Sequence, residues 1–250
     1  MNCKNCGGPC NEIGGGKYEC QFCGAVFSAE VPRARATESV VRGDAGVDVF
    51  EKNIGGIFET CWTEGRIDHL GSGFVITDGG YAITNAHVVS YKDGRSCGKI
   101  SVKLKDEEIS ASVVALGDDK HGMGNGIDLA IVKLSRIPFG MKVLKFANFA
   151  DVRIGETVFV IGNSLGYGTC ITRGIVSDKL RNVDGKMLLM YDCATNPGNS
   201  GGPVFNAKGE VIGVHVQGEP LGGGVKAQGM NYAIPANDAI AFLRKHNIRV

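Results

Sequence analysis

Residues 195–205 read TNPGNSGGPVF, a stretch in which one serine, Ser200, lies among three glycines and two prolines. Glycine, proline, asparagine and serine are the usual turn formers, so the composition of this stretch by itself predicts a tight turn. Glycine also permits backbone conformations that aim consecutive N–H groups at one point, as a reactive serine requires. Whether Ser200 is a turn residue or a nucleophile therefore depends on what the rest of the chain supplies.

Two polar residues elsewhere supply the partners of a nucleophilic serine, which needs a base to take its proton and an acid to orient that base. His87 ends the apolar run YAITNAHVV, and Asp128 precedes another in GIDLAIVKL. A histidine at a strand end is usually structural, so each segment is weak evidence when taken alone. Together they predict a His87–Asp128–Ser200 triad, in which the amides of Gly198 and Ser200 donate to the oxyanion.

The chain from about residue 57 onward consists of short apolar runs separated by turn sequences. Runs such as GSGFVIT, TVFVIG and GEVIGVHV are divided by TDGG, NVDG and NAKGE. Glycine is abundant, at 38 of 250 residues, and one helix is expected near the end, over roughly residues 236–246. Many short strands with few helices predict an antiparallel sandwich or barrel.

In this order and spacing the motifs resemble the trypsin-like serine peptidases, and among them the HtrA/Deg branch. The similarity covers about residues 50–241, through GSGFVIT, TNAHVV, DLAIVKL, TRGIVS, NPGNSGGPVFNAKGEVIGV and MNYAIP. The resemblance implies a mainly β, chymotrypsin-like fold of two six-stranded antiparallel barrels with a short C-terminal helix. It places His87 and Asp128 on the first barrel and Ser200 on the second. It also implies a serine endopeptidase that acts on proteins or peptides without a catalytic cofactor.

The chain departs from this family pattern in two places. Residue 199 is asparagine, where the digestive peptidases carry the aspartate that receives a new N-terminus, so activation by N-terminal insertion is not expected. The chain ends soon after MNYAIPANDAIAFL, where HtrA proteins usually continue into a PDZ domain, so peptide sensing by such a domain is not expected either. HtrA relatives often trimerise, but no segment here indicates an interface, and the oligomeric state is left open.

The pocket for the residue before the scissile bond is expected at residues 193–196 and 213–217. Ala194 stands where an aspartate would select lysine or arginine. Thr195 and His215 occupy positions similar to the threonine and histidine that bind a side-chain oxygen in glutamyl endopeptidases and in viral peptidases that cut after glutamine. These two residues predict cleavage after Glu or Gln. The alternative is that VIGVHV is an ordinary strand and that the pocket takes small aliphatic residues.

The first 27 residues contain two C-x-x-C pairs, Cys3–Cys6 and Cys20–Cys23, with thirteen residues between them. Four thiolates in two such pairs suit tetrahedral zinc, which is bound by soft ligands and carries no redox chemistry. We therefore predict a structural zinc ribbon, with Cys10 as a spare thiol able to replace one ligand. A redox C-x-x-C motif is the alternative. The predicted parts are a ribbon over residues 1–27, a linker over 28–46 and a peptidase domain over 47–250.

The charge and hydropathy of the chain favour few further partners. With 27 basic and 26 acidic residues, the sequence gives no clear sign of nucleic-acid binding. No apolar run approaches the roughly 20 residues of a membrane span, and MNCKNCGGPC does not read as a secretory signal. The expected location is therefore the cytoplasm, and a protein partner of the ribbon is left open.

A second interpretation of function is also open. The ribbon would dock a partner while the barrels only bind peptide, or the peptidase would stay silent until a partner binds the ribbon or the loop at residues 162–170.

Overall fold

The computed structural model describes residues 3, 6, 8–15, 17–28, 44–65, 67–118, 126–220 and 226–250. These residues belong to two compact units, Met1–Gly43 and Asp44–Val250, which are taken separately below. Within the described residues, no helix combines the length and the apolar character that crossing a membrane would demand.

The N-terminal unit contains a small antiparallel sheet. Its strands are β1 (Cys10–Gly14), β2 (Lys17–Cys20) and β3 (Val26–Ser28), in the order β1-β2-β3. The β1–β2 turn contains Gly14 and Gly15, both at positive φ, where glycine avoids the steric cost that other residues bear. The described side chains of this sheet are mostly exposed, so it has almost no apolar core of its own.

The first barrel of the larger unit follows a short helix, α1 (Ala45–Asn53), whose first turn is capped by Asp44. Its strands are β4 (Ile57–Glu64), β5 (Ile67–Val75), β6 (Tyr81–Thr84), β7 (Lys99–Leu104), β8 (Glu107–Leu116) and β9 (Ala130–Leu134). They close in the order β4-β5-β6-β9-β8-β7, with every pairing antiparallel. Closure leaves no unpaired sheet edge within the barrel.

The second barrel repeats this plan. Its strands are β10 (Thr157–Asn163), β11 (Thr169–Val183), β12 (Lys186–Tyr191), β13 (Pro203–Asn206), β14 (Val211–Pro220) and β15 (Lys226–Pro235), followed by helix α2 (Ala236–Lys245). They close in the order β10-β11-β12-β15-β14-β13, again with antiparallel pairing throughout. The predicted double six-stranded barrel with a short C-terminal helix is confirmed.

The two barrels share one apolar core at their junction. A single buried cluster joins Phe74 and Ile83 of the first barrel to Phe159, Ile161 and Phe205 of the second. Burying a side chain of this size stabilises the fold by about 1.5–3 kcal/mol. Because this cluster fixes the barrels against each other, loops from both can meet at one edge of the junction.

Candidate active site

The first barrel brings His87 and Asp128 together through strand pairing. His87 begins a 3-10 helix directly after β6, and Asp128 stands just before β9. Since β6 and β9 are neighbours, with Thr84 opposite Ala130, the end of one strand meets the start of the other. His87 and Asp128 are 41 residues apart in the sequence, and the pairing of two neighbouring strands brings them together.

The carboxylate of Asp128 contacts His87 through both oxygens, one at the ring and one at the backbone. His87 Nδ1 lies 2.6 Å from Oδ2, and the backbone N–H of His87 donates to Oδ1 at 3.0 Å. Asp128 is almost fully buried, whereas about a third of the His87 side chain is exposed. An ionised carboxylate only accepts hydrogen bonds, so it favours the tautomer with the proton on Nδ1. Nε2 is then the basic nitrogen of the ring.

Ser200 lies in the loop between β12 and β13, residues 192–202, called the nucleophile loop below. The N–H of Ser72 on the first barrel donates to Ser200 O at 2.8 Å. A side chain at Gly201 would lie 2.2 Å from Thr84 Oγ1 and 2.9 Å from Asn85 N, so only glycine fits against the segment that leads to His87. The Ser200 hydroxyl itself donates to Val216 O at 2.9 Å.

The predicted oxyanion donors lie on a constrained turn. Gly198 has φ +97°, and a Cβ there would be 2.1 Å from Asn163 O, so both conformation and space require glycine. The carbonyl of Pro197 accepts from Leu165 N at 2.8 Å. In a trans peptide the C=O and N–H point in opposite directions, so the N–H of Gly198 points away from Leu165. Within the described chain, neither the N–H of Gly198 nor the N–H of Ser200 donates a hydrogen bond, so both are available to a substrate oxygen.

A residue to which the sequence analysis assigned no role, Ser72, fastens this turn to the first barrel. Its hydroxyl donates to Gly198 O at 2.7 Å and accepts from Asn163 N at 2.8 Å, and the residue is fully buried. The signal in the sequence was the GSG triplet, because Gly71 and Gly73 have no room for side chains beside Val88 and Phe58. Ser72 therefore positions the turn that carries the predicted oxyanion donors.

Replacing Ser72 with alanine should lower kcat for peptide cleavage by about ten- to a hundredfold while leaving the triad side chains intact. The change leaves Gly198 O and Asn163 N buried without their partner, which costs about 1–3 kcal/mol and loosens the turn. Steady-state kinetics and thermal unfolding measure the two effects. Ser110→Ala, at an exposed position, is the matched control. An unchanged kcat in Ser72→Ala would exclude this positioning role.

A cavity of about 520 Å³ lies beside the nucleophile loop. Its lining is formed by Asp192, Cys193, Ala194, Thr195, Asn196, Gln228, Gly229 and Asn231. Thr195 thus lies where the sequence places the specificity pocket. His215 is not part of this lining; it is 2% exposed and its Nδ1 lies 2.6 Å from the hydroxyl of Tyr191.

One further buried polar residue, Asn231, lines this cavity, and the sequence analysis missed it. Thr195 Oγ1 donates to Asn231 Oδ1 at 2.5 Å, and Asn231 Nδ2 donates to Cys193 O at 2.7 Å. Tyr191 is opposite Asn231 in the β12–β15 pairing. The only sequence signal was a polar residue, Asn231, inside the apolar strand MNYAIP.

In the N-terminal unit, the four predicted ligand cysteines form one cluster. The sulfurs of Cys3, Cys6, Cys20 and Cys23 all lie within 4.8 Å of one another, with Cys3–Cys23 at 3.6 Å and Cys6–Cys20 at 3.5 Å. A zinc tetrahedron with Zn–S bonds near 2.3 Å has S···S edges of about 3.8 Å, so this donor set fits the metal.

The backbone of the second C-x-x-C pair favours a thiolate. The N–H groups of Cys23 and Phe22 lower the pKa of Cys20 to about 6. The N–H of Phe22 lies 3.4 Å from Cys20 Sγ. Cys10, the predicted spare thiol, instead donates to Gly8 O.

Comparisons with a family model and with curated proteins point to the same family, the trypsin-like serine peptidases. The model described as "Trypsin-like peptidase domain" matches residues 71–214. The chain is similar to a "Probable periplasmic serine endoprotease DegP-like" from Pseudomonas putida (strain GB-1), with 38% identity over 175 residues, which cover 68% of this chain and 33% of the relative. It is also similar to a protein of the same name from Chlamydia trachomatis serovar D, with 38% identity over 173 residues, 66% of this chain and 31% of the relative.

Solved structures agree with these relatives. The "HtrA-type protease AlgWS227A with tripeptide" matches with a TM-score of 0.68 and 27% identity, over 80% of this chain and 62% of that one. The "serine endoprotease from Yersinia pestis" matches with a TM-score of 0.63 and 26% identity, over 80% of this chain and 65% of that one. The chain spans about a third of the length of the curated relatives.

The expected cytoplasmic location is wrong by this comparison, because the relatives are named periplasmic endoproteases. The expectation rested on the lack of a leader pattern near Met1. Targeting depends on such end segments and not on the barrels, so the residues that fold the site carry no information about compartment.

Proposed function

Because the chain belongs to the trypsin-like peptidase family, we propose that it hydrolyses peptide bonds in protein or peptide substrates with His87, Asp128 and Ser200. The chain carries a serine endopeptidase domain of the HtrA type. The single observation that supports the proposed triad best is the pair of hydrogen bonds between buried Asp128 and His87. A carboxylate that only completed the core would not need to orient the ring of a half-exposed histidine.

Catalysis in this proposal begins when Ser200 Oγ attacks the scissile carbonyl carbon and its proton passes to His87 Nε2. The carbonyl oxygen becomes an oxyanion, stabilised by the N–H groups of Gly198 and Ser200. His87 then gives the proton to the leaving amine, the C–N bond breaks, and an acyl-enzyme remains. Water repeats the sequence with His87 as base, which releases the acid and restores the hydroxyl. Throughout, Asp128 stabilises the imidazolium that forms on His87.

The Ser200 hydroxyl must leave Val216 O before the attack. Moving Oγ from that carbonyl towards His87 requires rotation about the Cα–Cβ bond, between staggered wells that serine occupies readily. The hydrogen bond from the Ser200 hydroxyl to Val216 O favours one alternative function. In that alternative the peptidase is silent until a partner or substrate draws the hydroxyl away from this carbonyl.

A fluorophosphonate probe tests the function, since it reacts only with an activated serine. Labelling of the purified chain at Ser200, located by peptide mass spectrometry, would support an active triad. Labelling that appears only after a partner protein is added would support the silent peptidase. If Ser200 is labelled neither in the purified chain nor after a partner is added, the chain would be a binding protein with a peptidase fold.

We propose further that the residue before the scissile bond is Glu or Gln. Thr195 lines the cavity beside the nucleophile loop and is hydrogen-bonded to Asn231 within it. Polar side chains in the lining can form hydrogen bonds with a Glu or Gln side chain, whereas valine and alanine have no side-chain group that could use them. His215, the second predicted pocket residue, is outside this lining and is bonded to Tyr191.

We propose that residues 1–27 form a zinc ribbon, 28–46 a linker and 47–250 the peptidase domain. The cysteine cluster supports the ribbon, and α1, which begins at Ala45, supports a boundary within three residues of the proposed one. The four cysteines would hold a structural ion that takes no part in peptide hydrolysis. Exposed apolar side chains on this unit, Ile13, Phe22 and Val26, suit contact with a protein partner.

The purified chain should contain one zinc ion, and Cys20→Ser should reduce the bound zinc to below one tenth per chain. Four thiolates supply the folding free energy of so small a unit, so the unit should unfold without the ion. Zinc is measured by mass spectrometry of the metal and by a colorimetric chelator after thiol modification. Cys10→Ser is the control and should keep the zinc, because Cys10 lies outside the cluster. Equal zinc loss in both variants would contradict the assigned ligands.

A further inference from the structure

We propose that the specificity pocket selects glutamine over glutamate, and that Tyr191 is the positioning residue behind this selection because it holds His215 in its neutral form. The inference rests on the proposed endopeptidase function and chooses between two side chains that the sequence leaves open. It depends on the charge of the cavity lining, on its donors and acceptors, and on the buried Tyr191–His215 pair.

The described lining of the cavity contains no cationic side chain. Its one charged member is Asp192, whose Oδ1 accepts from Ile175 N at 2.7 Å and so stays fixed at the wall. A glutamate carboxylate that entered this cavity would lose water and meet another negative charge. Burying an unpaired charge is far more costly than burying a neutral amide that makes hydrogen bonds. The charge of the lining therefore disfavours glutamate.

The hydrogen-bonding groups of the pocket match a carboxamide better than a carboxylate. Asn231 Oδ1 and the carbonyl of Cys193 are acceptors, while the hydroxyl of Thr195 and the amide N–H groups of Asn231 are donors. Thr195 and Asn231 are 7% and 3% exposed and are hydrogen-bonded to each other, so a substrate side chain meets a preformed polar wall that bulk water barely reaches. A glutamine side chain both donates and accepts, whereas an ionised glutamate only accepts. Acceptors in the wall thus repel the carboxylate and can bind the amide.

The bond between Tyr191 and His215 fixes the protonation of the imidazole. Tyr191 is fully buried, and burial raises the pKa of its phenol well above the ordinary value, so the hydroxyl keeps its proton. Within the described chain, the hydrogen-bond partner of that hydroxyl is His215 Nδ1 alone, at 2.6 Å. A phenol that did not donate to Nδ1 would have a buried proton without an acceptor, which is unfavourable. Nδ1 therefore accepts, and the ring proton of His215 is on Nε2.

A neutral His215 adds no positive charge next to the pocket. Protonating it would place an N–H on Nδ1 facing the phenol, and the Tyr191 proton would lose its acceptor. Tyr191 is opposite Asn231 in the β12–β15 pairing, and Asn231 lines the cavity, so the Tyr191–His215 pair is adjacent to the lining. Removing the phenol hydroxyl would free Nδ1 to take a proton and would provide the cation that a glutamate needs.

The test uses two peptides that differ only by Gln or Glu before the scissile bond. For the wild-type chain, kcat/KM should be at least about tenfold higher for the Gln peptide, as expected when one buried polar group is left unpaired. In Tyr191→Phe this ratio should fall by about tenfold, because the Glu peptide gains and the Gln peptide loses. A merely structural role of Tyr191 would lower both rates equally and leave the ratio unchanged.

Tyr81→Phe, which removes a phenol hydroxyl from the first barrel, is the matched control and should keep the wild-type ratio. A ratio of one or below in the wild type, a preference for valine or alanine, or an unchanged ratio in Tyr191→Phe would each overturn the inference. Binding of both peptides to Ser200→Ala, followed by fluorescence anisotropy, separates the pocket from catalysis. Tighter Gln binding without any cleavage by the wild type would support the pocket and refute the peptidase.

Discussion

Replacing Ser200 with alanine should lower kcat/KM for a cleavable peptide by about five to six orders of magnitude. Ser200 Oγ is the only protein atom in the proposed mechanism that bonds to the substrate carbonyl carbon, so no other side chain can take over its step. What remains should be the catalysis that the amides of Gly198 and Ser200 provide by stabilising the oxyanion formed in direct attack by water. Because the backbone N–H of residue 200 survives the substitution, these donors stay in place.

Single-turnover and steady-state assays with a fluorogenic peptide measure this loss, and fluorophosphonate labelling should disappear in parallel. Thermal unfolding of Ser200→Ala should change little, since the Ser200 hydroxyl makes one hydrogen bond, to Val216 O. Ser135→Ala, an exposed serine of the first barrel, should retain full activity. Activity of Ser200→Ala within tenfold of the wild type would show that another residue is the nucleophile.

Asp128→Asn should lower kcat by about 10⁴-fold with little change in the fold. In the native chain, one carboxylate oxygen accepts from the backbone N–H of His87 and the other from Nδ1. An asparagine has one oxygen and one NH₂ group. If the oxygen keeps the backbone bond, the NH₂ group faces the ring and forces Nδ1 to accept. The proton then moves to Nε2, and His87 loses the lone pair that must receive the serine proton.

The two readouts for this variant are kcat and the rate of fluorophosphonate labelling, which should fall together because both need the same base. Asp106→Asn, in the exposed turn between β7 and β8, is the matched control and should have wild-type rates. A large loss of folding stability in Asp128→Asn with a normal specific activity for the folded fraction would show that Asp128 acts in the core and not on the ring.

The local pattern of the sequence was sufficient to predict the strands and the turns between them. Alternating apolar residues and turn sequences such as TDGG and NVDG mark strand boundaries within a few residues, because both signals act between chemical neighbours. The resemblance then supplied what periodicity cannot, namely two barrels of six strands. It also placed His87 and Asp128 on one barrel and Ser200 on the other, and the strand order agrees with this placement.

The residues that the sequence analysis did not identify make contacts with residues that are distant in the sequence. Ser72 holds Gly198, 126 residues away, and Tyr191 holds His215, 24 residues away on a different strand. Neither contact has a periodic signature, because each depends on which strands are neighbours and on the register between them. A one-residue change of register would turn such side chains to the other face of the sheet.

The cysteines show how much a short motif can determine without the rest of the fold. The C-x-x-C spacing already limits the geometry of each pair, and the structure adds only that the two pairs meet. The predicted specificity pocket is the opposite case. Thr195 and His215 were identified from their resemblance to the threonine and histidine of Glu- and Gln-specific peptidases, yet only the structure shows that Thr195 lines the cavity, whereas His215 is outside the lining and bonded to Tyr191.

The sequence by itself determined the family, the strand-rich architecture, the candidate triad and the four-cysteine set, because these depend on residue types at fixed spacings. Only the tertiary structure decided that the Ser72 hydroxyl bonds Gly198 O, that the Ser200 hydroxyl donates to Val216 O, and that the Tyr191 hydroxyl lies against His215 Nδ1. The physical reason is that a hydrogen bond forms only when the donor–acceptor distance is correct to within tenths of an ångström and the donor points at the acceptor. Barrel closure fixes those quantities between strands whose positions in the sequence do not reveal that they are neighbours.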